Sequence, residues 1–270
     1  MTKYLIPLAL LVLLGLPLIY ESTPTEVLKL KTFDALIPEQ QPSGYFTVLN
    51  ITEDDITREG GYPLPRQRLA EINIQLKKKG ALGIGWVVAF PQPDRFGGDE
   101  AFKQSLEDIP SVLAMFEGDN ALYPNTTGTV ILGEDVGGTP AAGVIQNIDL
   151  FKQSSQQGIA VARTEVDSLI RRLPLLLRTP DGWVPAYGTE VLKILVGADT
   201  YVIKTNDNGL EEIRVRGLPP VPVDSLGRKW ISFVNTPHTN LKDMDVQNKF
   251  VFIGYTAKGI MPQLATPVGL

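Results

Sequence analysis

The sequence predicts an α/β fold: a single domain around a mostly parallel central sheet with additional antiparallel strands, behind an N-terminal transmembrane helix. Three observations predict it. An uncharged run opens the chain. Two short apolar runs, Leu82–Phe90 (LGIGWVVAF) and Phe250–Gly254 (FVFIG), lack the alternation of a half-wet strand, as strands buried on both faces of a parallel sheet do. An amphipathic helical pattern separates the first strand from the second, which makes a right-handed βαβ unit. At 270 residues and 43% hydrophobic content, the chain can bury such a core.

In chain order, the N-terminal run comes first. Lys3 precedes Tyr4–Tyr20 (YLIPLALLVLLGLPLIY), and Glu21 follows it. At 1.5 Å per residue, these roughly 17 residues reach about 25 Å as a helix, the short end of what crosses a bilayer. Positive charge on the N-terminal side alone puts Met1 in the cytoplasm and the chain beyond Glu21 outside. Pro7 and Pro17 are better tolerated in a membrane helix than in a soluble one. Three readings are open. The length and flanks favour an uncleaved anchor; a cleaved signal peptide finds a poor site at Tyr20-Glu21-Ser22; a buried core helix does not suit a run with no polar face. The expected organisation is an anchor over 1–22, a juxtamembrane segment with a short connection over 23–45, and an extracytoplasmic (periplasmic) domain over 46–270.

Phe46–Ile51 (FTVLNI) is the first strand, rich in β-branched and aromatic residues. The two prolines of Gly60–Pro65 end extended structure and lead into a helix. Arg66–Lys79 places Leu69, Ile72 and Leu76 at helical spacing and ends in three lysines and Gly80. Those lysines suit a helix C-terminus and need no membrane or nucleic acid to explain them. After Leu82–Phe90 come a short helix at Asp99–Leu106 and a strand at Ser111–Phe116. Thr129–Leu132 reads as a hairpin strand inside a Gly/Thr/Asn-rich loop. Gly158–Val161, Leu169–Arg178, Tyr201–Lys204, Leu210–Val215 and Trp230–Val234 read as strands, and Glu190–Val196 as a helix stopped by Gly197.

Composition narrows the chemistry. Lys+Arg minus Asp+Glu is 25 − 30 = −5, against the basic surface that nucleic acid requires. The absence of cysteine removes disulfides, thiolate nucleophiles and Cys-based metal sites, and a lone His238 removes multi-His sites. Gly83-Ile-Gly85 sits within a strand, not at the strand-to-helix turn of a dinucleotide site. Glu53-Asp54-Asp55 follows the first strand; three consecutive acids read as a helix start, whereas a calcium loop alternates its ligands. Arg171-Arg172 has two readings, an anionic ligand or neighbouring acids. Asn50-Ile-Thr and Asn125-Thr-Thr fit the glycosylation pattern, which matters only for secretion by a eukaryote.

Four segments, taken in order, resemble the second class of CHASE domain, the extracytoplasmic sensory module attached to bacterial adenylate cyclases, histidine kinases and serine/threonine kinases. They are Ile51-Thr52-Glu53 with Tyr62-Pro63-Leu64-Pro65-Arg66; Gly80–Trp86 running to Phe90, Pro93-Asp94 and Asp99; Asp167 through Arg171-Arg172, Leu173-Pro174-Leu175, Asp181-Gly182 and Pro185; and Lys249–Ala257 with Gly259 and Thr266-Pro267. The resemblance implies a non-catalytic sensor and covers the chain after about residue 33. Of the charged residues, Glu53, Arg66, Asp94, Asp99, Arg171 and Arg172 are the ligand-binding candidates; no catalytic residue, metal ligand or cofactor is expected. The expected partners are the membrane, through residues 4–20, and a small ligand or envelope component. A homodimer is possible, and nucleic acid is not expected.

Where the family carries aspartates in the first turn, the second strand and before the Thr-Pro pair, this sequence has Thr52, Val87 and Pro262. These three are expected at one edge of the sheet, where without charge they would not hold a divalent cation. A glycine of the third segment is replaced by Ser168. Family members continue into membrane helices and a cytoplasmic effector, so a chain ending at Leu270 reads as a fragment, a truncated reading frame or a stand-alone remnant. The alternative of a different class is an anchored envelope hydrolase, which would need Glu53 or Asp94 as its base.

Overall fold

The central strands of the main sheet form where the sequence is mostly apolar, whereas its edge strand at residues 238–240 reads His-Thr-Asn. The computed structural model describes residues 22–37, 40–119, 122–257 and 264–269, together with Gly15. The strands are β1 (Phe46–Ile51), β2 (Gly83–Trp86), β3 (Ser111–Glu117), β4 (Thr129–Leu132), β5 (Thr139–Pro140), β6 (Val144–Ile145), β7 (Gln156–Ala160), β8 (Arg172–Pro174), β9 (Leu176–Thr179), β10 (Gly182–Pro185), β11 (Tyr201–Asn206), β12 (Gly209–Val215), β13 (Val221–Pro222), β14 (Arg228–Trp230), β15 (His238–Asn240) and β16 (Phe250–Tyr255). The helices are α1 (Thr23–Leu36), α2 (Glu53–Arg58), α3 (Arg66–Lys78), α4 (Asp99–Glu107), α5 (Asp149–Lys152) and α6 (Tyr187–Leu195).

The main sheet runs β15-β1-β16-β2-β3, with β6 and β7 both on β3. Every pair is parallel except β3 with β6. The chain's last strand, β16, therefore lies between its first two, with Phe46 opposite Phe250 and Phe250 opposite Gly83. Smaller sheets surround it: the β9–β10 hairpin with β5, the β11–β12 hairpin with β13 and β4, and the β8–β14 pair.

The two faces of the main sheet are built differently. Ile84, Trp86, Val251 and Ile253 point to the face covered by α3 and α4, where Leu69, Ile72, Leu76, Phe102 and Leu106 complete the core. Trp86 Nε1 donates to Asn73 Oδ1 (3.0 Å), and Asn73 Nδ2 donates to Ser105 Oγ (2.9 Å), so the polar atoms of this core are paired. On the other face α6 lays Tyr187 and Val191 against Val112, Ala114 and Phe250. Gly83 and Gly85 point this way, and a Cβ at Gly85 would collide with the Tyr187 hydroxyl and the Phe250 ring. These glycines thus make room for two aromatic rings, which is a packing role.

Several expectations need correction. The strand expected over Leu82–Phe90 stops at Trp86. Val87 N–H makes a last bond to Ile253 (2.9 Å), and Phe90 then plugs the core against Trp86, Phe102 and Phe151. Its apolar character serves packing beyond the sheet. Thr129–Leu132 is a strand but not a local hairpin: it pairs parallel with Tyr201–Lys204. The strand expected over Leu169–Arg178 is two, β8 and β9, broken at Leu175, whose N–H turns to Gly227. Trp230–Val234 contributes only Trp230, at the end of β14. The 23–45 segment, expected as a juxtamembrane segment with a short connection, contains the helix α1, which the sequence reading did not assign. The run Tyr4–Tyr20 lies outside the described residues but for Gly15; among the described residues, no helix is long and apolar enough to cross a membrane.

Candidate functional site

The C-terminal ends of β1, β16 and β2 form one edge, and three of the sequence-predicted residues meet there. Asp94, in the loop after β2, places Oδ2 2.8 Å from the Arg66 backbone N–H and 3.3 Å from that of Gly98; its Oδ1 accepts from Phe96 (3.1 Å). It thereby ties the loop to the first turn of α3, whose cap position is a proline without a side-chain acceptor. Burial pushes the Asp94 carboxyl up, but those donors and the Arg66 charge outweigh it and hold it below the usual range. A general base is tuned in the opposite direction.

Arg66 stacks its guanidinium 4.4 Å from the Phe90 ring centroid. Its Nη2 donates to the Gln92 carbonyl (3.1 Å), and its Nε lies 3.8 Å from Asp99 Oδ1. That distance is too long for a hydrogen bond, and neither buried atom has another partner among the described residues. Burial lowers the Arg66 pKa, with Asp99 and Asp94 pulling the other way. Asp99 Oδ2 accepts from the Asp94 N–H (2.8 Å).

Thr52 and Val87 stand at this same edge, just beyond β1 and β2 on either side of β16. Pro262 lies outside the described residues. Thr52 caps α2: its N–H and hydroxyl donate to Asp55 Oδ2 (2.9 and 2.7 Å). Glu53 is the exposed first residue of that helix, apart from the Arg66 group. Among the described residues, no group of three or more His, Asp or Glu side chains is placed to hold a metal ion.

Arg171 and Arg172 sit elsewhere, and acids meet them both. Arg171 is 0% exposed. Its Nε and Nη2 grip both oxygens of Asp34 on α1 (2.7 Å each), while Nη1 and Nη2 grip both oxygens of Asp167 (2.8 and 2.7 Å). Those hydrogen bonds raise the Arg171 pKa, and the bond from Arg171 is the main cause holding the Asp167 carboxyl below its usual value. Arg172 makes the same fork on Glu165 (2.6 Å twice) and lies 5.1 Å from the Trp230 ring centroid, which packs 4.0 Å from that of Phe33 on α1. On its loop-facing side, α1 thus has Leu30 buried, Phe33 on an aromatic ring and Asp34 in a bidentate ion pair.

A model of the CHASE2 domain family matches residues 8–269. This chain belongs to the CHASE2 domain family. No curated protein and no solved structure matches it. CHASE2 is an extracellular sensory domain family of signal-transduction proteins, and it is non-catalytic. Within this CHASE2 chain, Ser168 has a φ of +65°, in the left-handed region that favours glycine, so the turn that delivers Asp167 to Arg171 carries backbone strain.

Sequence reasoning missed Asp34, whose partners lie more than a hundred residues away, and it missed a cavity of about 240 Å3 between the 124–127 loop, β7 and α6. None of the six predicted residues lines that cavity.

Proposed function

We propose that this chain is the extracytoplasmic sensory part of a signal-transduction protein, held in the membrane as a single pass by residues 4–20 with its N-terminus in the cytoplasm, and that it does no catalysis itself. It senses a small ligand or envelope component and reports it by changing how α1 is held. One observation carries this reading: consecutive residues hold two distant segments. Arg171 binds α1 through Asp34, and the Ile170 N–H bonds the Ala265 carbonyl (3.0 Å) in the segment that follows β16. A shift in the 165–172 loop reaches both at once. Two states, with α1 latched or released, suffice if the stimulus binds them unequally. The hydrolase alternative has little to draw on, since Asp94 is saturated by backbone donors and Glu53 is exposed.

The cysteine-free sequence makes the test clean. Single cysteines replace Lys3 or Asp207 in the full chain, and intact bacterial cells whose outer membrane has been opened receive a membrane-impermeant maleimide. Asp207→Cys should label and Lys3→Cys should not. Labelling of both, or of Lys3→Cys alone, would contradict the topology.

A further inference from the structure

The cavity beside α6 contains a buried ion pair that the fold leaves incomplete. Glu190 and Lys193 are 1% and 9% exposed, and both line it. Glu190 Oε2 accepts from the buried Tyr201 hydroxyl (2.6 Å). Oε1 is ion-paired to Lys193 Nζ (2.7 Å) and has no aligned hydrogen bond among the described residues. A buried pair of charges is costly to desolvate, and an acceptor left open on it is costlier still. By contrast, Arg171 spends four of its five N–H donors on two carboxylates, each gripped through both oxygens.

We propose that this cavity binds a small zwitterion, a molecule bearing a carboxylate and an ammonium group close together, as an α-amino acid does. Size sets the first limit: about 240 Å3 is below the ~300–1,000 Å3 of clefts that hold drug-sized ligands. Charge sets the second. Glu190 and Lys193 balance each other, and a simple anion would have to displace Glu190 from Lys193, leaving a buried carboxylate unpaired. A simple cation would strand Lys193 in the same way. A zwitterion inserts into the pair with balance kept, its ammonium donating to Glu190 Oε1 and its carboxylate accepting from Lys193. Lys152, also on the cavity wall, is already balanced by the exposed Asp149 (3.0 Å), so it leaves the charge argument unchanged. The remaining wall mixes amides and hydroxyls such as Asn125, Thr127 and Gln146 with apolar Met115 and Val184, and no aromatic ring lines it among the described residues. That lack counts against a sugar, whose C–H face packs on aromatic rings.

The site connects to the latch, and to this extent the inference rests on the sensory reading above. Val184 and Pro185 form part of the wall; the next residue, Ala186, bonds the Leu175 carbonyl through its N–H (3.1 Å), and β8 begins directly after Arg171. A ligand that repositions α6 against β10 pulls on a short, continuous path to the residue holding α1.

Titration calorimetry tests the site on the full chain in detergent micelles, using each proteinogenic amino acid in turn, with acetate, methylammonium, glycerol and glucose as controls. At least one amino acid should give a saturable one-to-one heat and the four controls none. Glu190→Gln should weaken binding at least about tenfold. Because that variant leaves Lys193 buried alone, the double variant Glu190→Gln/Lys193→Met, which removes both charges, should fold and show the same loss. Saturable binding of glycerol or glucose instead, no saturable heat from any amino acid, or amino-acid binding unchanged in the double variant would each overturn the site. Binding that leaves hydrogen exchange of α1 unaltered would keep the site and overturn the sensory coupling; no binding with α1 latched as described would do the reverse.

Discussion

Arg171 and Glu190 are both buried charges outside the main sheet, and they are completed in opposite ways. Arg171 has carboxylate oxygens on both sides of its guanidinium, four hydrogen bonds in all. Glu190 has one oxygen bonded to Tyr201 and one held only by the Lys193 charge, without an aligned hydrogen bond among the described residues. A charge held by two bidentate carboxylates has a structural use: it fixes two segments to each other, and a competing anion would have to displace one of them. An open one keeps capacity for a molecule that is not part of the chain. Hydrogen-bond completion, more than burial, thus separates the latch from the pocket.

The largest effect should come from breaking the latch. Arg171→Met leaves Asp34 and Asp167 facing each other without a cation, and unfolding free energy should fall by about 3–5 kcal/mol in urea titrations. Arg171→Lys should recover only part of this, because an ammonium cannot form the two forks. Asp34→Ala removes one fork and spares Asp167; a loss of about 1.5–3 kcal/mol is expected by the same method.

Glu190→Gln should cost less, about 1–2 kcal/mol, because the amide keeps its bond to Tyr201 and Lys193 borders the cavity. A loss as large as that of Arg171→Met would mean that Glu190 is as structural as Arg171, and would erase the contrast.

Low pH sharpens the comparison from the other side. Arg171 depresses the Asp167 carboxyl in the folded state, so this group's contribution is complete above the ordinary carboxylate value near 3.9 and is lost as pH falls through the lower folded value. Urea titrations should therefore show stability dropping as the buffer is taken from about pH 5 toward pH 3, and Asp167→Asn should flatten that drop. An equal drop in the variant would assign it to other carboxylates. The smallest effect should be a gain: Ser168→Gly relieves a left-handed residue in the latch loop and should add up to about 1 kcal/mol, partly offset by the greater freedom of glycine in the unfolded chain.

How much of this was legible in the sequence follows from where the stabilising contacts lie. The strands β1, β2 and β16 and the crossover α3 could be read because their burial is written locally, as apolar runs and a helical stripe. The helix α1 could not: only Leu30 is buried, and a distant arginine holds Asp34. Arg171 and Arg172 stood out as charges needing partners, yet the choice between ligand and acid depended on folding. Arg66, Asp94 and Asp99 come from two separate segments, and only folding shows that they meet, while Glu53 flanks them. The cavity is assembled from the 124–127 loop, β7, β10 and α6, so no short window of sequence contains it. Gly83 and Gly85 were read as strand residues and not as a dinucleotide loop, but the reason for them, the Phe250 ring against both and Tyr187 from α6 against Gly85, lies far along the chain.

Native-state hydrogen exchange on the full chain tests the central claim, that one buried arginine latches α1 to the sensory domain. The account predicts that the Thr23–Leu36 amides are protected in the natural chain and exchange at least about tenfold faster in Asp34→Ala, while β1, β2 and β16 stay as protected as before. Undiminished protection of α1 in that variant, or loss of protection throughout the main sheet together with it, would contradict the latch.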